Sequence, residues 1–487
     1  MNILVAAFEA SPLAKTGGLA DVIEALSIEW AKLDHNTLLV LPKHKHIDVL
    51  KYGFEKLEHT LYVKMGFETE FGAIWLGKLP GSEARVALIE HEEYFSRNGI
   101  YGDPEEYFDN DRRFIFYCRA VFEAAIALDF KVDVLHAHDY HATFTLAFLK
   151  SFYNDHKLFM DAVSIYTIHN LAYQGKFNPY RIMDFSSFGM KEFYPGSWFE
   201  MHGVVNCMKV GIMFADKITT VSPNYAKEIR MPYYSEGLQD VLNHRGADLI
   251  GILNGVFYDQ WNPEIDQRIF KEYKPGDFEK KKENKFELLR SFGVIDEDDI
   301  DRPLVGMVTR LTEQKGIDII KEILDKMIDE NRFRFIILGS GRQDYVDYFQ
   351  YIKWKYPQRA FIHIGYDETL AHRIIACSDY VLVPSRFEPC GLTQMYALKY
   401  GTVPIVRSTG GLADTVDEYI PEARMGTGFV FNNYDKDDFS YSLDRALSIY
   451  NAEVHWDSIR NNGMMQDFSA KRMAKEYIKV FEWAKKK

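Results

Sequence analysis

The sequence predicts an α/β protein of two domains, each built on a parallel sheet with helices on both faces. Three observations carry this. Short runs rich in Val, Ile and Leu recur along the chain, separated by amphipathic stretches of helix length, and continuous apolar strands alternating with helices belong to sheets buried on both sides. The hexapeptide Thr-Gly-Gly-Leu-Ala-Asp occurs twice, at 16–21 and at 409–414, each time after a β-like run and ahead of a helical segment. The length of 487 residues also favours two cores over one.

The strands of the first half are expected at 3–8, 132–135, 164–168, 218–221 and 249–253, and those of the second at 304–308, 333–338, 361–364, 380–383 and 403–406. Between the halves, 266–285 is crowded with Lys, Glu and Asp and carries Pro275-Gly276, so it reads as a connector or a solvated helix. The boundary is placed just before it, giving domains at 1–255 and 256–465. A last segment, 466–487, reads as a helix whose apolar face (Met473, Tyr477, Val480, Phe481, Trp483) needs cover.

Composition narrows the function. Hydrophobic residues make up 47% and charged residues 26%, as in a soluble globular protein. Lys and Arg number 58 against 71 Asp and Glu, a net charge of −13, which argues against a nucleic-acid or anionic-membrane partner. Cys118, Cys207, Cys377 and Cys390 form no CxxC pair, so reduced thiols are expected in place of a zinc or redox site. The first residues run straight into a strand without a basic leader, and no apolar run reaches membrane-span length; a cytoplasmic protein is the expectation.

The ligands of such sheets gather at the carboxyl ends of the strands, and three of those ends are informative. Lys15 precedes the first glycine pair. Arg310 and then Lys315-Gly316 follow the strand at 304–308. The segment 384–394, Pro-Ser-Arg-Phe-Glu-Pro-Cys-Gly-Leu-Thr-Gln, follows the strand at 380–383. A lone Lys or Arg is usually a solvated surface charge. Several cations and glycines at strand ends together suit a diphosphate, through forked hydrogen bonds from Arg310, the point charge of Lys315 and backbone amides near Gly391.

The segments 15–21 and 385–394 resemble the signature segments of bacterial glycogen and plant starch synthases. His136-Ala137-His138-Asp139, Ile168-His169-Asn170, Leu253-Asn254-Gly255 and Thr309-Arg310-Leu311 fit the same family in order and spacing, so the resemblance spans essentially the whole chain. It implies the GT-B fold, two Rossmann-like domains facing across a deep cleft, with the first on the acceptor side, the second binding the nucleotide sugar, and the C-terminal helix crossing back to the first. It implies transfer of glucose from ADP-glucose to the non-reducing-end 4-hydroxyl of an α-1,4-glucan, with retention of configuration.

Carried onto this sequence, the resemblance puts Lys15, Gly18 and Asp21 near the distal phosphate and the transferred sugar, and Arg310 and Lys315 on the departing diphosphate. Tyr366 would stack on adenine. Glu388 would hold the glucose hydroxyls, and the backbone of Cys390, Gly391, Leu392 and Thr393 would contact sugar and phosphate. His169 would hydrogen-bond the glucose, with Asp139, Asn170 and Asn254 completing the sugar and acceptor side. No metal or other cofactor is implied, because preorganised cations can stabilise the leaving group; an oligomer is left open.

Against these stand plainer readings. His136, His138, Asp139 and His141 look like a metal cluster, but their spacing is not that of a zinc site, and polar contacts in the cleft are the preferred reading. Cys390 is read as a small packing residue, and Lys43-His44-Lys45-His46 as a solvated loop. Tyr396 stands where many related transferases carry a second carboxylate, and Phe257 where the family carries a hinge aspartate. A non-catalytic glucan-binding homologue, or UDP-glucose as donor, are the alternative readings; the first predicts loss of Lys15, Arg310, Lys315 or Glu388, and all four are present.

Overall fold

The computed structural model describes residues 1–103, 105–294 and 301–486. The chain divides into two compact units, one of Met1–Gly255 with Ala470–Lys487 and one of Val256–Ser469.

The strands of the first unit are β1 (Asn2–Ala6), β2 (Asn36–Pro42), β3 (Glu55–Met65), β4 (Glu68–Lys78), β5 (Arg85–Glu90), β6 (Val134–His138), β7 (Val163–Ile168), β8 (Lys176–Phe177), β9 (Glu200–Met201), β10 (Val204–Asn206), β11 (Lys217–Thr220) and β12 (Leu249–Gly251). Nine of them form one sheet in the order β12-β11-β7-β6-β1-β2-β5-β4-β3, and β8, β10 and β9 form a small separate sheet. Neighbours from β12 across to β5 run parallel, while β4 is antiparallel to both β5 and β3. The fully parallel expectation therefore fails at this edge. The β3–β4 hairpin escaped detection because it is half-solvated: β3 alternates exposed and buried residues, where the parallel strands are apolar throughout.

In the second unit β13 (Leu304–Val308), β14 (Arg334–Gly339), β15 (Ala360–Ile364), β16 (Tyr380–Val383), β17 (Val403–Arg407) and β18 (Phe429–Phe431) pair in parallel in the order β15-β14-β13-β16-β17-β18. Numbered within the unit this is 3-2-1-4-5-6, the Rossmann order, and its direction reverses between β13 and β16. In the first unit the reversal falls between β1 and β6. The strand ends at these reversals hold most of the residues singled out above, because diverging helices leave a crevice there.

The stretch 266–285 is not the solvated connector its composition suggests. Asp266, Lys281 and Lys285 are each 3% exposed. Lys285, on the helix Phe278–Ser291, donates to Asp379 at 2.7 Å and to the Arg302 carbonyl at 2.6 Å, and Lys281 donates to the Ala376 carbonyl at 2.7 Å and to Thr402 Oγ1 at 2.6 Å. Asp266 accepts from His372 at 2.7 Å and Tyr400 at 2.6 Å. A charge is buried only where such partners meet it, and composition alone does not reveal them.

The helix Ala470–Lys485 buries Met473, Tyr477, Val480 and Phe481, but Trp483 is 38% exposed, with Lys217 over its ring. Its cover is the helix Gly18–Lys32: the Trp30 indole donates to the Ala474 carbonyl at 3.2 Å and lies 5.3 Å from the Phe481 ring.

Candidate active site

In the second unit the loop after β13 and the loop after β16 are built against each other. Gly316 has φ +76°, and a Cβ there would lie 2.2 Å from the Pro384 carbonyl oxygen, so only glycine permits the approach. The Arg386 amide donates to the Gln314 carbonyl at 2.8 Å, and the Gln314 side chain donates to the Phe387 carbonyl at 3.2 Å. The Arg386 side chain reaches back to Glu313 at 2.8 Å and Asp318 at 3.3 Å. This packing sets Lys315 Nζ 2.5 Å from Glu388 Oε2, which also accepts from the Ser385 hydroxyl at 2.9 Å.

Beyond Glu388 the chain turns at Gly391, with φ +75°. The Gln394 side chain donates to the carbonyls of Cys390 and Gly391 and to Thr415, each at 3.1 Å, and holds the turn ahead of the short helix Thr393–Lys399. Cys390 is a buried free thiol. Gly410 and Gly411, of the second hexapeptide, back this loop: Cβ atoms on them would lie 1.9 Å from the Glu388 carbonyl oxygen and 2.3 Å from that of Cys390. Arg310 is exposed, as is Tyr366, at 79%. Tyr396 is stacked on Trp261 at 3.9 Å, and Trp261 on His372 at 3.6 Å, so the position is filled by a packed aromatic.

In the first unit the turn 15–18 is exposed. Lys15 Nζ pairs with Asp21 at 2.6 Å. The carboxylate of Glu9, in the loop after β1, accepts from the Thr16 amide at 2.5 Å, the Thr16 hydroxyl at 2.7 Å and the Gly17 amide at 3.3 Å. At the end of β6, Asp139 has φ +54°, strained for a non-glycine, and its carboxylate accepts from the His169 amide at 2.8 Å. Burial raises the Asp139 carboxyl to about 7, although the His169 amide favours its charged form. His138 and His169, at the ends of β6 and β7, share a ring hydrogen bond at 2.9 Å, and burial holds His169 neutral, lowered to about 3. Asn170 Oδ1 caps the next turn through the Ala172 amide at 3.0 Å. Asn254 is 7% exposed, and its Oδ1 has no hydrogen-bond partner among the described residues.

Several sequence readings are corrected here. His136 is fully buried, bonded to Thr167 at 2.7 Å and packed against the rings of Trp30 and Tyr477, so it belongs to the core. His141 is likewise enclosed, stacked on Phe8 and Tyr101. His44, expected in a solvated loop, is 2% exposed and bonded to the Phe8 carbonyl at 2.9 Å; burial lowers it to about 3. Three His codes among Lys and Asp look polar in sequence, but a neutral imidazole is a flat ring that packs like an aromatic once one nitrogen is bonded. Sequence reasoning overlooked Glu9, and it quoted Ser385 and Gln394 within the segment 384–394 without giving either a role; an acidic residue following an apolar run, as in Phe8-Glu9, was the available signal for the first.

Residues 2–244 match the family described as starch synthase catalytic domain, and 295–461 match glycosyl transferases group 1. The chain is 40% identical to the glycogen synthase of Bacillus subtilis (strain 168) over 482 residues, covering 99% of this chain and 98% of that protein. It is 40% identical over 490 residues to the glycogen synthase of Thermosipho africanus (strain TCF52B), covering 99% of each. Its structure resembles the catalytic domain of starch synthase IV from Arabidopsis thaliana bound to ADP and acarbose, with TM-score 0.91 and 32% identity over 100% of this chain and 99% of that one. Sucrose-phosphate synthase from Thermosynechococcus elongatus, at 14% identity and TM-score 0.62 over 99% and 98%, shares the fold.

Proposed function

The chain belongs to the glycogen and starch synthase family of GT-B glucosyltransferases, and from that premise we propose that it transfers glucose from ADP-glucose to the non-reducing-end 4-hydroxyl of an α-1,4-glucan, with retention. The observation that carries this is the Lys315–Glu388–Ser385 cluster at the sheet reversal of the second unit.

The leaving nucleoside diphosphate gains negative charge as the glycosidic bond breaks, so cations fixed at its position favour the transition state over the ground state. In this reading Arg310 and Lys315 supply them and no metal is required. Lys315 is already oriented by Glu388. On donor binding the diphosphate replaces Glu388 as its partner, and Glu388, still held by Ser385, turns to the sugar hydroxyls. Tyr366 offers an exposed ring to the adenine, and the backbone of Cys390, Gly391, Leu392 and Thr393 meets sugar and phosphate. Lys15, Gly18 and Asp21 supply the first unit's contacts to the distal phosphate and sugar. Neutral His169 hydrogen-bonds the glucose, backed by Asp139 and His138, while Asn170 and Asn254 serve the acceptor side.

A double-displacement route needs two carboxylates about 5 Å apart, and the packed ring of Tyr396 supports instead a front-face attack. The acceptor 4-hydroxyl bonds to C1 from the side the diphosphate leaves, and its proton passes to the departing phosphate. Residues 1–255, 256–465 and 466–487 are assigned to acceptor binding, donor binding and the closing helix. No helix among the described residues is long and apolar enough to cross a membrane; a cytoplasmic setting suits the four free thiols. Release of ADP from ADP-glucose in the presence of glycogen is the direct test, and no release would overturn the proposal. ADP-glucose should turn over faster than UDP-glucose by up to about tenfold, the scale of the larger stacking face that adenine offers Tyr366.

A further inference from the structure

Glu9 is 3% exposed, in the loop that follows β1. Its carboxylate takes four donors: the Thr16 amide at 2.5 Å, the Thr16 hydroxyl at 2.7 Å, the Gly17 amide at 3.3 Å and the Tyr101 hydroxyl at 2.6 Å. A buried carboxylate persists only when its lone pairs are occupied, and four donors are about the number it can accept. Two of the four are backbone amides leading into the helix Gly18–Lys32, the kind of position where an external anion otherwise sits. The chain fills that seat with its own anion.

Tyr101 holds the arrangement from the far side. Its ring stacks on His141 at 4.4 Å and on Phe8 at 6.0 Å, and burial, with Glu9 beside it, keeps its phenol far above the ordinary value, so it remains a donor. In the second hexapeptide the Gly411 amide faces the carbonyls of Glu388 and Pro389, at 3.1 Å each.

We propose that Glu9 is a positioning residue for glucosyl transfer, a built-in anion that fixes the turn 15–18 so that Lys15 and Gly18 meet the donor, and that keeps inorganic phosphate off the Thr16 and Gly17 amides. This rests on the reading that the first turn contacts the donor. Glu9 touches no reacting atom; it acts through the turn.

The test uses the full-length protein with Glu9→Ala, Glu9→Gln and, in parallel, Lys15→Ala. Glu9→Ala should lower kcat by about ten- to a hundredfold, as expected for losing a set of charge-assisted hydrogen bonds. Formate, a carboxylate small enough for the vacated seat, should restore activity several-fold, and inorganic phosphate should inhibit Glu9→Ala much more strongly than the parent. Neither a misfolded variant nor a general packing defect is repaired by formate. If formate restores nothing and phosphate inhibits both proteins alike, the inference is overturned. Should Glu9→Ala fail to fold, Glu9→Gln decides: the amide turns a donor toward donors, so kcat should fall with KM for glucan unchanged, and an unchanged kcat refutes the role. Full activity in Lys15→Ala would instead remove the first turn from the donor site, leaving the formate and phosphate responses to judge Glu9 alone.

Discussion

The two Thr-Gly-Gly-Leu-Ala-Asp segments have the same residues and each leads into a helix, yet their backbones and surroundings differ: Gly17 has φ −160° and its counterpart Gly410 has φ +45°. In the first, residues 15–18 are exposed, nothing lies within 4 Å of a Cβ built on Gly17, and the turn is braced from behind by the Glu9 carboxylate. In the second, Thr409, Gly410, Gly411 and Leu412 are buried, and the glycines are pressed against the backbone of Glu388 and Cys390. The glycines in one place leave the turn open to solvent, and in the other they let one loop approach another. A repeated motif thus marks the start of a helix, while its neighbours decide both the backbone of the turn and its setting.

The contrast can be broken by substitution, and the largest effect is expected where the second copy supports the site. Lys315→Ala should lower turnover at least about a hundredfold, through loss of a key charge contact and because Glu388 is left without its cation; steady-state kinetics with ADP-glucose check this, and a loss below about tenfold removes Lys315 from the catalytic set. Gly410→Ala comes next. Its φ is +45° and its Cβ would collide with the Glu388 carbonyl, so about 2–4 kcal/mol of stability should be lost along with most activity. Thermal melting and kinetics on the same preparation measure both. In the first copy Gly17→Ala should leave the melting temperature within a few degrees, since φ is −160° and the space is open. A large drop there would show that the first turn depends on its glycine for stability as the second does.

The smallest expected effect separates the units by pH. In the first, His44 and His169 are lowered from 6.5 to about 3, so the unfolded chain binds more protons between these values, and stability is lost as pH falls below about 6.5. In the second, burial lowers Lys281 from 10.5 to about 7, so its cost is absent above about 10.5 and fully present below about 7. Hydrogen exchange followed from pH 5 to 10 should show first-unit amides losing protection on the acid side, and second-unit amides gaining it between pH 7 and 10. Lys281→Met should flatten the alkaline gain.

How much of this was legible in the sequence follows from what each feature depends on. The strands at 304–308 and 380–383 coincide with β13 and β16, because a strand buried on both faces must be apolar at every position. The β3–β4 hairpin was missed because half of its side chains face water. Lys281 and Lys285 read as solvated, because the Ala376 carbonyl and the Asp379 carboxylate that accept their hydrogen bonds lie 95 and 94 residues away in sequence. Glu9 went unremarked because its donors Thr16 and Gly17 reach it only through the fold of the loop after β1, and Tyr101 is 92 residues distant.

By itself, then, the sequence determined the alternation of apolar strands and helices, the family, and the chemical types gathered at the strand ends, since all of these rest on residue identity and local spacing. Only the tertiary structure decided which charges are buried, that Lys315 rests against Glu388, and that one of two turns of identical sequence faces solvent while the other packs beneath the Glu388 loop. Those depend on which distant groups arrive to satisfy a hydrogen bond or fill a space, and the cost of leaving either unmet is what selects the arrangement.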